Sequence, residues 1–164
     1  MELPQRKSTR LADFDYSTSG TYFLTICTDE KKCILSQIVG GDVLDAPHVK
    51  LFRYGEIAEK YINQLSNFYD DICVDKYVIM PNHIHLLLSV TENGASRTSP
   101  PTVQHSTVSR FVSTFKRFCN KEYGTNIWQR HFYDHVIRNQ RDYDEIWQYI
   151  ENNPRKWALQ NGDK

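Results

Sequence analysis

The spacing of apolar and polar residues changes period several times along the chain, and each change marks an element. Residues 20–28, Gly-Thr-Tyr-Phe-Leu-Thr-Ile-Cys-Thr, form a β-branched and aromatic run that predicts a buried strand. A shorter apolar run from Cys33 to Val39 stops at Gly40-Gly41 and predicts a short strand or hairpin arm. Between Phe52 and Phe68 the spacing becomes helical, with Ile57, Tyr61, Ile62 and Leu65 recurring every three or four residues. Residues 72–79 and 83–90 return to strand character. The turn-like Met80-Pro81-Asn82 between them predicts an antiparallel hairpin.

From 91 to 106 the chain is rich in Ser, Thr, Pro and Gly, the composition of a mobile loop within a domain. A helix is expected over 107–123, where Val108, Phe111, Val112, Phe115, Phe118 and Cys119 make one apolar stripe and Gly124 suits the exit. Residues 133–137 predict a further strand. A last helix is expected to open on Asp142 as N-cap, with Glu145 completing a capping box, and to end at Asn153, because Pro154 disfavours helical geometry before it. Its buried stripe is Tyr143, Ile146, Trp147 and Ile150, with Tyr149 beside it. This order predicts a ferredoxin-like α+β sandwich spanning 1–164 as one domain, with an antiparallel sheet, helices on one face and a C-terminal helix bearing Tyr149.

Composition narrows the picture only slightly. At 164 residues and 40% hydrophobic content the chain can bury one core. The polar opening has no secretory pattern and no apolar run reaches bilayer length, so a cytoplasmic protein without a membrane partner is expected. Cysteines 27, 33, 73 and 119 form no CxxC pair; those at 27, 73 and 119 are expected to be buried reduced thiols. The net charge of zero is unlike a typical DNA binder, but its distribution is uneven. Residues 13–90 hold eleven acidic and six basic side chains, whereas 107–157 hold six and nine. An anionic partner is expected to meet the C-terminal third and the arm carrying Arg6, Lys7 and Arg10.

His83-Ile84-His85 is the first candidate for chemistry. On a strand, residues two apart share a face, so both imidazoles can converge on one ion. The same pattern also suits two edge histidines facing water, and two ligands do not make a site. On the last helix Asn153 lies one turn beyond Tyr149, so a phenol and a carboxamide share one edge. Read alone, they are equally a half-buried tyrosine and a helix-ending Asn-Pro.

Longer motifs go further. Tyr77-Val-Ile-Met-Pro-Asn-His-Ile-His-Leu-Leu-Leu88 resembles the histidine–hydrophobic–histidine strand of the HUH endonuclease superfamily. Asn126-Ile-Trp-Gln-Arg-His-Phe-Tyr-Asp-His-Val-Ile-Arg-Asn139, followed by Tyr149-Ile-Glu-Asn-Asn-Pro154, resembles the single-tyrosine transposases of bacterial insertion sequences, and REP-associated tyrosine transposases most. The resemblance implies His83, His85 and Asn153 as ligands of a divalent metal, magnesium or manganese, and Tyr149 as nucleophile. It implies nicking and rejoining of single-stranded DNA near hairpins through a 5′-phosphotyrosine. DNA contacts are expected from Arg110, Arg117, Lys121, Arg130 and Arg138 and from the arm with Arg6, Lys7 and Arg10. Relatives work as monomers or homodimers, and the sequence leaves both open. Two rival readings are a catalytically silent hairpin-binding protein of the same fold and a metal-dependent hydrolase of small phosphoesters. The lack of a carboxylate near the histidines counts against the hydrolase.

Overall fold

The computed structural model describes residues 19–91 and 107–161. Arg6, Lys7, Arg10 and most of the expected 91–106 loop lie outside the described residues. The described elements are β1 (Gly20–Cys27), a 3-10 turn (Asp29–Lys31), β2 (Ser36–Val39), β3 (His48–Leu51), α1 (Arg53–Phe68), β4 (Ile72–Ile79), β5 (His83–Val90), α2 (Thr107–Tyr123), β6 (Tyr133–Val136) and α3 (Gln140–Asn161). Four strands form an antiparallel sheet in the order β4-β5-β1-β6, and β2 pairs separately with β3. With the β2–β3 ladder set aside, strand, helix, strand, strand, helix, strand in this order is the ferredoxin-like arrangement that the sequence pattern predicts. The sequence did not announce β3, whose four residues alternate in exposure and are too few to declare a period. None of the described helices is long and apolar enough to cross a membrane.

Alternation of side chains gives the sheet two unlike faces. Tyr22, Leu24 and Ile26 of β1 and Ile84, Leu86 and Leu88 of β5 point into the main core, together with Ala58, Ile62 and Leu65 of α1 and Val108, Phe111 and Phe115 of α2. Fully burying each large apolar side chain of this kind contributes about 1.5–3 kcal/mol. Intervening residues, His83 and His85 among them, point to the opposite face, which α3 covers. The Asn126–Arg130 segment ties the end of β1 in place. Trp128 is buried and bridges to Thr28, its backbone N–H donates to Asn126 Oδ1 at 3.2 Å, and Lys116 Nζ donates to the Gln129 carbonyl at 2.7 Å. Cys27 and Cys119 are buried as expected, but Cys73, on edge strand β4, is exposed.

The last helix departs from expectation at both ends. It opens on Asn139, whose Oδ1 accepts the Asp142 N–H at 2.9 Å. Asp142 is therefore in the first turn, where it accepts the Arg138 N–H at 3.1 Å, and Glu145 pairs with Arg141 instead of completing a capping box. The helix also continues through Pro154 to Asn161. An interior proline loses one helical hydrogen bond and costs about 3 kcal/mol in an isolated helix. Here Asn153 and Pro154 are both buried where α3 packs on the sheet and on the β2–β3 ladder, and that packing offsets the cost.

A β-bulge between Val74 and Lys76 fixes where α3 lies. Asp75, the extra residue, accepts from Ser89 Oγ at 2.6 Å and from Tyr143 Oη of α3 at 3.1 Å. Next to it, Lys76 Nζ sits 4.2 Å from the Trp147 ring centroid and 3.8 Å from Glu151.

Two stability measurements check this account. Alanine is the better helix former by about 1 kcal/mol, yet Gly55→Ala should lower the urea midpoint, because a Cβ on Gly55 would collide with the Leu35 carbonyl. A raised midpoint would show that α1 is not seated against Leu35. A double-mutant cycle of Asp75→Ala and Tyr143→Phe should return a coupling of about 1 kcal/mol, and zero coupling would remove this link between α3 and the bulge.

Candidate active site

The turn before β5 is held from three sides. Met80 N–H donates to the His83 carbonyl at 2.8 Å, Thr28 N–H to the Asn82 carbonyl at 3.0 Å, and Leu35 N–H to the Pro81 carbonyl at 3.1 Å. The first residues of β5 therefore have little freedom. Register sets His83 opposite Cys27 and His85 opposite Thr25.

The two imidazoles converge, with His83 Nε2 3.1 Å from His85 Nε2. Their other nitrogens are engaged, His83 Nδ1 with Asn82 Oδ1 at 2.7 Å and His85 Nδ1 with Thr25 Oγ1 at 2.9 Å. A carboxamide oxygen only accepts, so His83 carries its proton on Nδ1 and turns a lone pair inward. When Thr25 accepts in the same way, two lone pairs meet, and a cation between them relieves the repulsion. Two nitrogens held about 2.1 Å from one ion at a right angle lie about 3.0 Å apart, so the spacing fits a shared ion. Burial pushes His83 down to about 4, with the nearby Lys31 charge adding to it. Burial pushes His85 down to about 3, with His83 adding to it. Both rings are thus neutral near pH 7, the form that ligates metals.

From α3, Tyr149, Asn153 and Trp157 face this pair at successive four-residue steps. The Tyr149 ring centroid is 5.4 Å from that of His85, and Trp157's is 6.0 Å from that of His83. Asn153, only 7% exposed, lies between them on the helix. Phe23 packs beside both His85 and Tyr149, at 5.0 and 5.9 Å between centroids. Among the described residues no cluster of three His, Cys, Asp or Glu side chains could hold a metal. The carboxamide of Asn153 is a neutral donor of another type. Tyr149 is 39% exposed, which leaves its phenol open to a large substrate.

The structure thus brings His83, His85 and Tyr149 together within one chain, with Asn153 buried one turn beyond Tyr149 on the same helix. It does not bring the expected DNA-binding residues of α2 to the same place. Arg110, Arg117 and Lys121 lie on the layer across the sheet, where Arg110 pairs with Asp71 at 3.3 Å and stacks over Tyr69. Arg130 and Arg138 are exposed on either side of β6. Tyr133 pairs in register with Thr25, which separates it from His85, and Tyr143 is held by Asp75, so neither competes with Tyr149. Sequence reasoning did not single out Thr25, Asn82, Lys156 or Trp157. Asn82 adjoins His83 and could have been suspected. Lys156 and Trp157 repeat the Tyr149 edge at seven and eight residues but were hidden by the expected helix end at Pro154.

Residues 49–153 match the family model "Transposase IS200 like". An uncharacterized protein of Haemophilus influenzae is 28% identical over 93% of this chain and 89% of its own length. The REP-associated tyrosine transposase of Escherichia coli K12 is 30% identical over 55% of this chain and 50% of its own. A solved structure of a REP-associated tyrosine transposase bound to a REP hairpin covers 96% of this chain and 75% of its own, at TM-score 0.61 and 20% identity, and so shares the fold. On the strength of the family match, this chain belongs to the IS200-like transposases, and REP-associated tyrosine transposases are among its relatives.

Proposed function

We propose that this protein nicks and rejoins single-stranded DNA at hairpins, with Tyr149 as the nucleophile. The observation that carries the reading is the juxtaposition, in one chain, of two neutral converging imidazoles, a buried carboxamide and a half-exposed phenol. A divalent ion, manganese or magnesium, held by His83, His85 and Asn153 would neutralise the non-bridging oxygens of the scissile phosphate and align it for in-line displacement.

The chain's residues do the rest. Asn82 and Thr25 orient the imidazoles, and Phe23 packs against the Tyr149 ring from the sheet side. Tyr149 Oη attacks phosphorus and gives up its proton to solvent, the bond from phosphorus to the 3′ oxygen breaks, and the released 3′ oxygen takes up a proton from solvent. The product is a 5′-phosphotyrosine. One ester has replaced another, so a second 3′-hydroxyl can attack it, release Tyr149 and join strands without ATP. Hairpin DNA as substrate agrees with the relative bound to a REP hairpin. The proximity of Tyr149 and His85 within one chain supports a monomer acting in cis, and the reading is of a cytoplasmic protein. Arg130, Arg138, Arg6, Lys7 and Arg10 contact the reacting strand. Arg110, Arg117 and Lys121 meet only DNA that reaches the opposite layer.

A library of stem-loop oligonucleotides with randomised stems and flanks, incubated with manganese, should yield a covalent protein–DNA adduct that disappears in Tyr149→Phe. Tight binding without adduct would identify a silent hairpin-binding protein, and an adduct in Tyr149→Phe would move the nucleophile elsewhere. Manganese, cobalt or nickel at about a hundred times its Kd should stabilise the free protein by about 2.7 kcal/mol, read as a raised Tm. His83→Ala and His85→Ala should abolish that shift, and a shift that survives both would place the metal elsewhere.

A further inference from the structure

We propose that Lys156 is a further catalytic residue, its ammonium group contacting the phosphoryl oxygens of the strand attacked by Tyr149. This rests on the function proposed above and adds a protein cation to the site. Lys156 Nζ lies 5.5 Å from the Tyr149 ring centroid, and the residue is seven positions further along α3, two turns on and on the same edge. Tyr149 is therefore bordered by His85 and Phe23 from the sheet and by Lys156 from its own helix.

The surrounding charges leave Lys156 free for an anion. The acidic groups of α3 are engaged elsewhere. Asp142 lies 3.0 Å from His135 Nε2, Asp144 accepts from Gln140 at 2.8 Å, Glu145 pairs with Arg141 at 3.0 Å, and Glu151 faces Lys76 of β4 at 3.8 Å. Among the described residues Lys156 makes no ion pair with a carboxylate, and its one close partner is the ring of Tyr149. That partner becomes an aryl phosphodiester anion when the strand is captured. A lysine is a mobile point charge on a long stem, well suited to follow phosphoryl oxygens as they move from the DNA to the tyrosine. The helical path through Pro154 matters here, since a helix ending at Asn153 would give Lys156 no defined place beside Tyr149.

The test uses Lys156→Met, Lys156→Arg and, as a neighbouring-charge control, Arg155→Gln in the full chain, with equal Tm values checked first. Single-turnover adduct formation with an adduct-forming stem-loop from the library should slow about 10- to 100-fold in Lys156→Met, the loss expected for one charge-assisted contact. Affinity for the same intact stem-loop should change little. Lys156→Arg should recover most of the rate, and Arg155→Gln should match wild type. A second readout needs no turnover. In Tyr149→Phe protein kept metal-free with EDTA, a strand ending in a 5′-phosphate at the cleavage junction should bind tighter than the same strand ending in a 5′-hydroxyl, and adding Lys156→Met should erase the difference. A wild-type adduct rate in Lys156→Met, or an undiminished phosphate preference, overturns the assignment while leaving Tyr149 chemistry intact. No adduct from the wild-type protein with any stem-loop overturns the proposed function and the catalytic role of Lys156 together.

Discussion

Two imidazole nitrogens 3.1 Å apart on a covered sheet face impose demands on everything around them. Out of water each ring must stay neutral, each must have its outer nitrogen satisfied, and when Thr25 accepts from His85 the inner lone pairs need something positive between them. Asn82 and Thr25 meet the second demand, and burial enforces the first. The remaining demand is what makes the place a site and not merely part of the packing. A turn pinned by hydrogen bonds from Thr28 and Leu35, and a β1 whose end is tied to the Trp128 segment, keep the pair from relaxing apart.

The chemistry is completed by an element that approaches from the other direction. Helix α3 crosses the histidine face and is held by contacts to one edge strand, with Tyr143 on the bulged Asp75 and Trp147 and Glu151 on Lys76. The bulge is the device that turns a carboxylate toward the helix at this point. These contacts flank Tyr149 on the helix, with Tyr143 and Trp147 before it and Glu151 after it, so they set both the axial position and the rotation of this stretch. The phenol, the carboxamide and the indole are then delivered in order along one edge. Modest individual interactions suffice, because they act on one rigid helix.

Division into two layers also separates the charges. The large apolar core lies between the sheet and α1 with α2, and the basic side chains of α2 lie beyond it, a full layer away from the histidines. The polar chemistry is confined to the side covered by a single helix, where half-exposed aromatic residues leave room for a substrate. Zero net charge is compatible with this arrangement. Along α3, Glu145 pairs with Arg141 and Glu151 with Lys76 of β4, while among the described residues Lys156 beside Tyr149 makes no ion pair.

Much of the framework was legible in the chain itself. Strand-like apolar runs mark β4 and β5 to the residue, the two-residue spacing puts His83 and His85 on one face, and a period near 3.6 marks α2 to the residue. These are local properties, carried by neighbours within a turn or a few residues. The longer motifs also named Tyr149 and Asn153, although nothing local said what they would face. Only the tertiary structure decided that α3 lies against the histidines, that it starts at an Asn139 cap and runs through Pro154, and that Lys156 and Trp157 join the same edge. The physical reason is that proline's cost is local whereas the packing that overrides it comes from strands far earlier in the chain, β2 to β5, and no window around residue 154 contains them.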